Sequence, residues 1–185
     1  MIRELTLPLS RDEAASLRAG DLVTLTGPVY TARDAAHKRL IALMEEGKEL
    51  PLPLLNQTLY YVGPSPAPPG LPIGSAGPTT SYRMDSYTPA LLDAGLVGMI
   101  GKGARSPAVV EAMIRNRAVY FGAIGGAAAL LARSIQSAEV IAFPDLGTEA
   151  IRLLTLSRFP AIVLIDSLGN SLYQTGPAQY RSEEL

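Results

Sequence analysis

Apolar and polar side chains alternate over residues 3–8, with Arg3, Leu5 and Leu7 set against Glu4 and Thr6, a pattern that predicts a short strand. Ser10 is placed to cap a brief helix over 12–17, which Gly20 ends. A strand over 21–27 follows, bounded by turn residues, and then a helix over 32–46 with Thr31 as its cap and Gly47 as its stop. A strand is expected at 58–62. The Pro- and Gly-rich segment 63–70 cannot hold a helix and should run over the surface. Beyond it the pattern predicts a helix at 89–94, a buried strand at 97–101, a helix from the Ser106-Pro107 signal to about Asn116 and a strand at 118–121. Gly125-Gly126 opens an Ala-rich helix to Ala132. Strands are expected at 137–142, 150–156, 161–166 and 171–173, with a turn at Leu168-Gly169-Asn170 and a loose polar tail from Pro177. The interleaving predicts a mixed α/β fold, one compact domain over 1–185 with helices layered on a sheet.

The helix at 32–46 breaks its own pattern. At 100° per residue, Arg33, His37, Leu40 and Met44 share one stripe, so an arginine and a histidine occupy the end of a buried face. Either a salt bridge with Asp34 or Glu46 satisfies them, or something anionic does. Breaking a buried ion pair costs about 3–5 kcal/mol, so partners are required. A second patch, Gly77-Pro78-Thr79-Thr80-Ser81-Tyr82-Arg83-Met84-Asp85, joins a turn to three consecutive hydroxyls and an arginine, a combination suited to gripping a carboxylate. Lys102 forms the third, between Gly101 and Gly103 at the end of a predicted strand, where α/β sheets place ligands. The three patches are expected to converge on one small anionic substrate. Met84, Met99, Met113, Tyr82 and Tyr120 read as core or pocket wall, and Asp166 as structural.

Composition narrows the chemistry. A net charge of −1 gives no basic stripe for nucleic acid. The apolar run 118–132 is interrupted by three glycines and falls short of the about 20 residues of a membrane span. No signal pattern opens the chain, so the expected location is the cytoplasm. With no cysteine and a single histidine, the chain offers no disulfide and no self-contained metal site. The turn Gly122-Ala123-Ile124-Gly125-Gly126 lacks both the dinucleotide glycine spacing and the Walker lysine, which favours tight packing over a nucleotide site.

Five segments together resemble the β subunit, or C-terminal domain, of the iron–sulfur hydro-lyases, class I fumarase and L-tartrate dehydratase. They are GDLVTLTGPVYTARDAAHKRL, GPTTSYRMDSY, MIGKGARS, YFGAIGGAAA and FPAIVLIDSLGNSLY, in the family's order along the chain. The resemblance implies a swivelling β/β/α domain. It also implies half an enzyme, in which a separate α subunit holds a four-iron, four-sulfur cluster through three cysteines and leaves one iron open as a Lewis acid.

Carried onto matching positions, the resemblance makes Arg33 and Arg83 carboxylate-binding groups, Lys102 a third substrate cation and His37 a supporting polar group at the substrate. Thr79 becomes the base that removes a carbon-bound proton, with Arg83 near enough to lower its pKa. Thr148 stands where the family leads one to expect methionine. The implied reaction is reversible hydration of a small dicarboxylate, fumarate/L-malate first, with L-tartrate or methyl-substituted fumarates as alternatives. The expected assembly is a hetero-oligomer with the α subunit, or a homo-oligomer when isolated. A non-catalytic dicarboxylate-binding or assembly module without that partner is the competing class.

Overall fold

The computed structural model describes residues 2–123 and 127–178. Its frame is a ring of strands. β2 (Leu22–Thr31), β3 (Thr58–Tyr60), β4 (Gly98–Gly101) and β5 (Val119–Gly122) are parallel neighbours in that order. β7 (Ile151–Ile165) closes the ring by pairing antiparallel with both β5 and β2. Two more strands lie outside it. β1 (Arg3–Thr6) runs parallel to the first half of β2, and β6 (Ile135–Ala142) antiparallel to the first half of β7.

Parallel strands with both faces covered are apolar on both, and the alternation sorts these residues into two cores. Tyr60, Ile100, Val119 and Phe121 point into the ring with Val29, Leu154 and Phe159. Leu59, Tyr61, Met99 and Tyr120 point outward, under the helices. Those helices are α2 (Asp34–Glu45), α3 (Thr88–Asp93) and α4 (Pro107–Asn116). α4 starts as the sequence predicts, with the Ser106 hydroxyl accepting from the Val109 amide and Pro107 in the first turn. α1 (Arg11–Ser16) starts with a full capping box between Ser10 and Glu13. α5 (Ala128–Ala132) fits the expected Ala-rich helix, although Gly125 and Gly126, thought to open it, lie outside the described residues.

Four expectations are corrected. β2 does not stop at Gly27 but continues through Gly27-Pro28 to Thr31, with a register shift between Leu25 and Gly27. Thr31 is therefore strand, not helix cap. Its hydroxyl donates to the Ala150 carbonyl and accepts from the Arg152 amide, while Arg33 takes the N-cap position without a side-chain cap. The strands expected at 150–156 and 161–166 are one continuous strand, because Arg158 adopts a left-handed φ of 49° and its amide donates to the Thr26 hydroxyl, carrying the ladder past Phe159-Pro160. The expected strand at 171–173 is instead the start of α6 (Leu172–Ala178), with Ser171 O accepting from the Gln174 and Thr175 amides. Before it, Asp166 shapes the Leu168–Asn170 turn by accepting from both those amides, a structural role as expected. The loose tail expected from Pro177 begins within α6, which runs to Ala178, and its remainder from residue 179 lies outside the described residues. No helix among the described residues is long and apolar enough to cross a membrane.

Candidate anion site

Because β2, β3, β4 and β5 are parallel, their C-terminal ends share one rim of the ring. Arg33 follows β2, Gly63 follows β3 and Lys102 follows β4. The hydroxyl run joins them by wedging between the ends of β3 and β4. Pro78 bridges Val62, the Thr79 amide donates to the Tyr61 carbonyl (2.7 Å), Thr80 bridges Lys102, and the Ser81 amide donates to the Lys102 carbonyl (2.9 Å). The wedge is close-fitting, since a Cβ on Gly101 would lie 2.0 Å from Ser81 Oγ. Backbone alone holds Thr79 and Thr80 here. Both are half-buried, and no hydrogen bond among the described residues engages their hydroxyls.

Past the wedge, a 3-10 turn (Ser81–Met84) carries Arg83 back toward the start of α2. There the Arg83 Nε donates to Asp34 Oδ1 at 2.8 Å, and Arg33 Nη2 lies 3.6 Å from Asp34 Oδ2. Arg33 also lies 3.5 Å from Glu149 Oε1, while Glu149 Oε2 accepts from the Ala35 amide at 2.9 Å. Gly63 presses on Arg33 from the other side, where a Cβ would come within 2.8 Å of its Nη1. Two arginines thus meet over two carboxylates beside the hydroxyl run. Lys102, exposed on the adjoining strand end, joins none of the ion pairs among the described residues. Arg33, Thr79 and Lys102 thus lie on the segments that follow or join the ends of β2, β3 and β4, and Arg83 reaches the same region through Asp34.

His37 sits differently. It is fully buried, its Nδ1 lies 2.9 Å from the Arg33 carbonyl, and its ring meets Tyr61 edge-on at 5.3 Å. The same Arg33 carbonyl accepts from the His37 amide. Burial drives the His37 pKa down from 6.5 to about 4, with the charge of Arg105 adding to the shift against the bond to the Arg33 carbonyl. The buried imidazole is thus neutral, bound to the Arg33 carbonyl through Nδ1, with Nε2 buried and unpartnered among the described residues. The shared stripe is likewise corrected: Arg33 precedes α2 rather than lying on its face. Its bland alternative holds in part, since Asp34 does pair with Arg33, whereas Glu46 pairs with Lys48.

Several residues that build the site were not singled out from the sequence. Arg105 is wholly buried beneath the wedge, with Nε to Asp85 Oδ1 at 2.7 Å, Nη2 to the Thr88 hydroxyl at 2.9 Å, and the rings of Tyr61 and Tyr120 at 5.4 and 5.0 Å. Burial works against its charge, but Tyr61 and Asp85 outweigh that and hold its pKa above the ordinary value. Tyr120, by contrast, was read from the sequence as core or pocket wall; it is buried, and its hydroxyl, kept protonated by burial, lies 2.8 Å from Ser81 Oγ and 3.0 Å from the Gly103 carbonyl. Glu149 was missed as well. Arg152 aims it by binding the carbonyls of Gly147, Thr148 and Ala150. The signal was available for Asp85 and Arg105, both of which fall inside segments already noted. Tyr82, expected in the core or a pocket wall, is exposed. Thr148 lines a cleft of about 500 Å³ with Pro64, Pro144 and Arg152.

An iron site does not fit these residues. The chain has no cysteine, and among the described residues no three His, Asp or Glu side chains are grouped to hold a metal. The rim presents cations and hydroxyls, a donor set that attracts anions.

A family model described as "Fumarase C-terminus" matches residues 2–176. The anaerobic class I fumarate hydratase of Escherichia coli K12 is 44% identical over 154 residues, covering 82% of this chain and 28% of the relative. Fumarate hydratase 2 of Leishmania major is 38% identical over 165 residues, 88% of this chain and 29% of its own length. A Methanocaldococcus jannaschii protein named "Putative L(+)-tartrate dehydratase subunit beta" is 35% identical over 172 residues, 90% of this chain and 88% of the relative. The chain therefore spans less than a third of the fumarate hydratases it matches, and most of the tartrate dehydratase subunit.

Proposed function

The chain belongs to the fumarase C-terminus family, and from that premise we propose that it is the β subunit of a class I fumarate hydratase-type hydro-lyase. A separate cysteine-bearing α subunit supplies the four-iron, four-sulfur cluster in this reading, and the pair works in the cytoplasm on fumarate and L-malate. The observation that carries it is the meeting of Arg33 and Arg83 on a single carboxylate, with Thr79 and Lys102 on the adjoining strand ends. Two guanidiniums and an ammonium match the two carboxylates of the substrate, since each pair gains from charge-assisted hydrogen bonds. The Thr79 hydroxyl, held by backbone and free of partners among the described residues, takes the proton from carbon in the dehydration direction and returns it in hydration. A threonine acts as a base only where nearby cations stabilise its oxyanion, and Arg83 and Lys102 supply them.

L-tartrate is the second reading, supported by the 35% identity over 172 residues to the protein named "Putative L(+)-tartrate dehydratase subunit beta". Arg33, Arg83 and Lys102 bind what these dicarboxylates share and do not choose between them.

Anaerobic co-expression with the cluster-bearing subunit tests both, with assays on fumarate, L-malate and the tartrates. Turnover is expected only from the assembled pair, and robust turnover by this chain alone overturns the division of labour. In the assembled enzyme Thr79→Ala should lower kcat by about 10² or more while substrate binding stays within a few-fold. Near-normal kcat removes Thr79 as the base.

A further inference from the structure

We propose that Asp34 is an internal competitor for the anion site, a carboxylate that occupies the two arginines until a ligand's carboxylate displaces it. The inference rests on the reading that the site takes a dicarboxylate, and it goes further by assigning affinity control to a residue of this chain. Among the described residues Asp34 is the one carboxylate shared by Arg33 and Arg83. Its hold is partial. Only the Arg83 Nε–Oδ1 contact, at 2.8 Å, is a hydrogen bond, and the contacts of Arg33 to Asp34 and Glu149 stretch to 3.6 and 3.5 Å. Arg33 Nε and Asp34 Oδ2 are both buried with no hydrogen-bond partner among the described residues. A buried donor and a buried acceptor left unmade side by side are costly, so the cluster gains when a new acceptor reaches Arg33 and frees Asp34. Elsewhere the chain builds its arginine pairs fully, as in the two-pronged contacts of Arg115 with Asp93 at 2.8 and 2.7 Å.

The charges point the same way. Arg33, Arg83 and Lys102 bring three positive charges to the rim, and Asp34 and Glu149 return two negative ones. Glu149 is tied to the Ala35 amide, whereas Asp34, about a third exposed at the start of α2, is the one free to turn away.

Asp34→Asn separates this from a purely positioning role, because the two predict opposite signs. Asparagine keeps the size and the acceptor for Arg83 Nε but removes the competing charge. Calorimetric titration of the isolated chain with succinate, at low ionic strength, should give a Kd for Asp34→Asn at least about threefold tighter than for the unaltered chain, and the difference should shrink with added salt. Equal or weaker binding, or no binding by either protein, overturns the proposal. Should the variant fail to fold, the unaltered chain still decides. Succinate should shift the Asp34 side-chain carboxyl and Arg83 Nε–H resonances together, and an Asp34 resonance unmoved at saturation overturns it. Loss of turnover in the two-subunit enzyme bears on the proposed reaction and leaves this competition to be read from binding alone.

Discussion

Arg105 and Arg83 both answer to an aspartate, at 2.7 and 2.8 Å, yet they belong to different kinds of region. Arg105 has no exposed side-chain surface; Asp85, Met99 and Thr88 give each of its three nitrogens a partner, and the Tyr61 and Tyr120 rings lie against it. Arg83 is 46% exposed, makes one hydrogen bond and leaves its Nη donors unpaired among the described residues. The first arginine is satisfied by its own chain and serves as a post under the wedge. The second has donors to spare. Saturation of donors, more than the presence of a salt bridge, separates scaffold from site.

The comparison is broken most forcefully at Arg105. Arg105→Met leaves the Asp85 carboxylate buried without its counter-ion, a change worth about 3–5 kcal/mol, read as a fall in urea midpoint. A loss under about 1 kcal/mol would mean the post is dispensable. Next comes His37, the buried group that shares the layer between these regions. Its folded pKa near 4 lies below the ordinary 6.5, so the unfolded chain takes up a proton first as pH falls. Stability is therefore full above about pH 6.5 and drains away toward pH 4, with about 2 kcal/mol gone by pH 5. His37→Gln should flatten the part of the urea midpoint's pH dependence between 7 and 5 that this residue causes; an unchanged slope would assign it elsewhere. The smallest effect on stability is expected at Arg83. Arg83→Ala should shift unfolding free energy by less than about 1 kcal/mol, as for an exposed pair, while raising Kd for a dicarboxylate about tenfold or more. Destabilisation on the scale of Arg105 would erase the distinction.

Much of this contrast was legible along the chain, for reasons that differ from residue to residue. Lys102 and Thr79 could be placed because an apolar strand ending in glycine and a Gly-Pro turn are local signals, and the rim follows from parallel order. Arg33 was legible as a candidate but assigned to the wrong element. Gly27-Pro28 reads as a turn, and nothing local says that β7 will carry β2 onward to Thr31. The same long pairing hid the single strand at 151–165, because Arg158 takes its left-handed conformation only where the Thr26 hydroxyl receives its amide. Glu149 and Asp34 were harder still. An acidic residue in a helix's first turn reads as a favourable charge near the dipole, and only the fold brings Arg83, 49 positions away, to share it.

The wedge between β3 and β4 has a consequence for how such a protein changes over time. Thr79 and Thr80 are anchored through amides and carbonyls, so their side chains can be exchanged without asking the sheet to refold. Mutation can rewrite what this rim recognises while the hoop of strands beneath it is inherited intact.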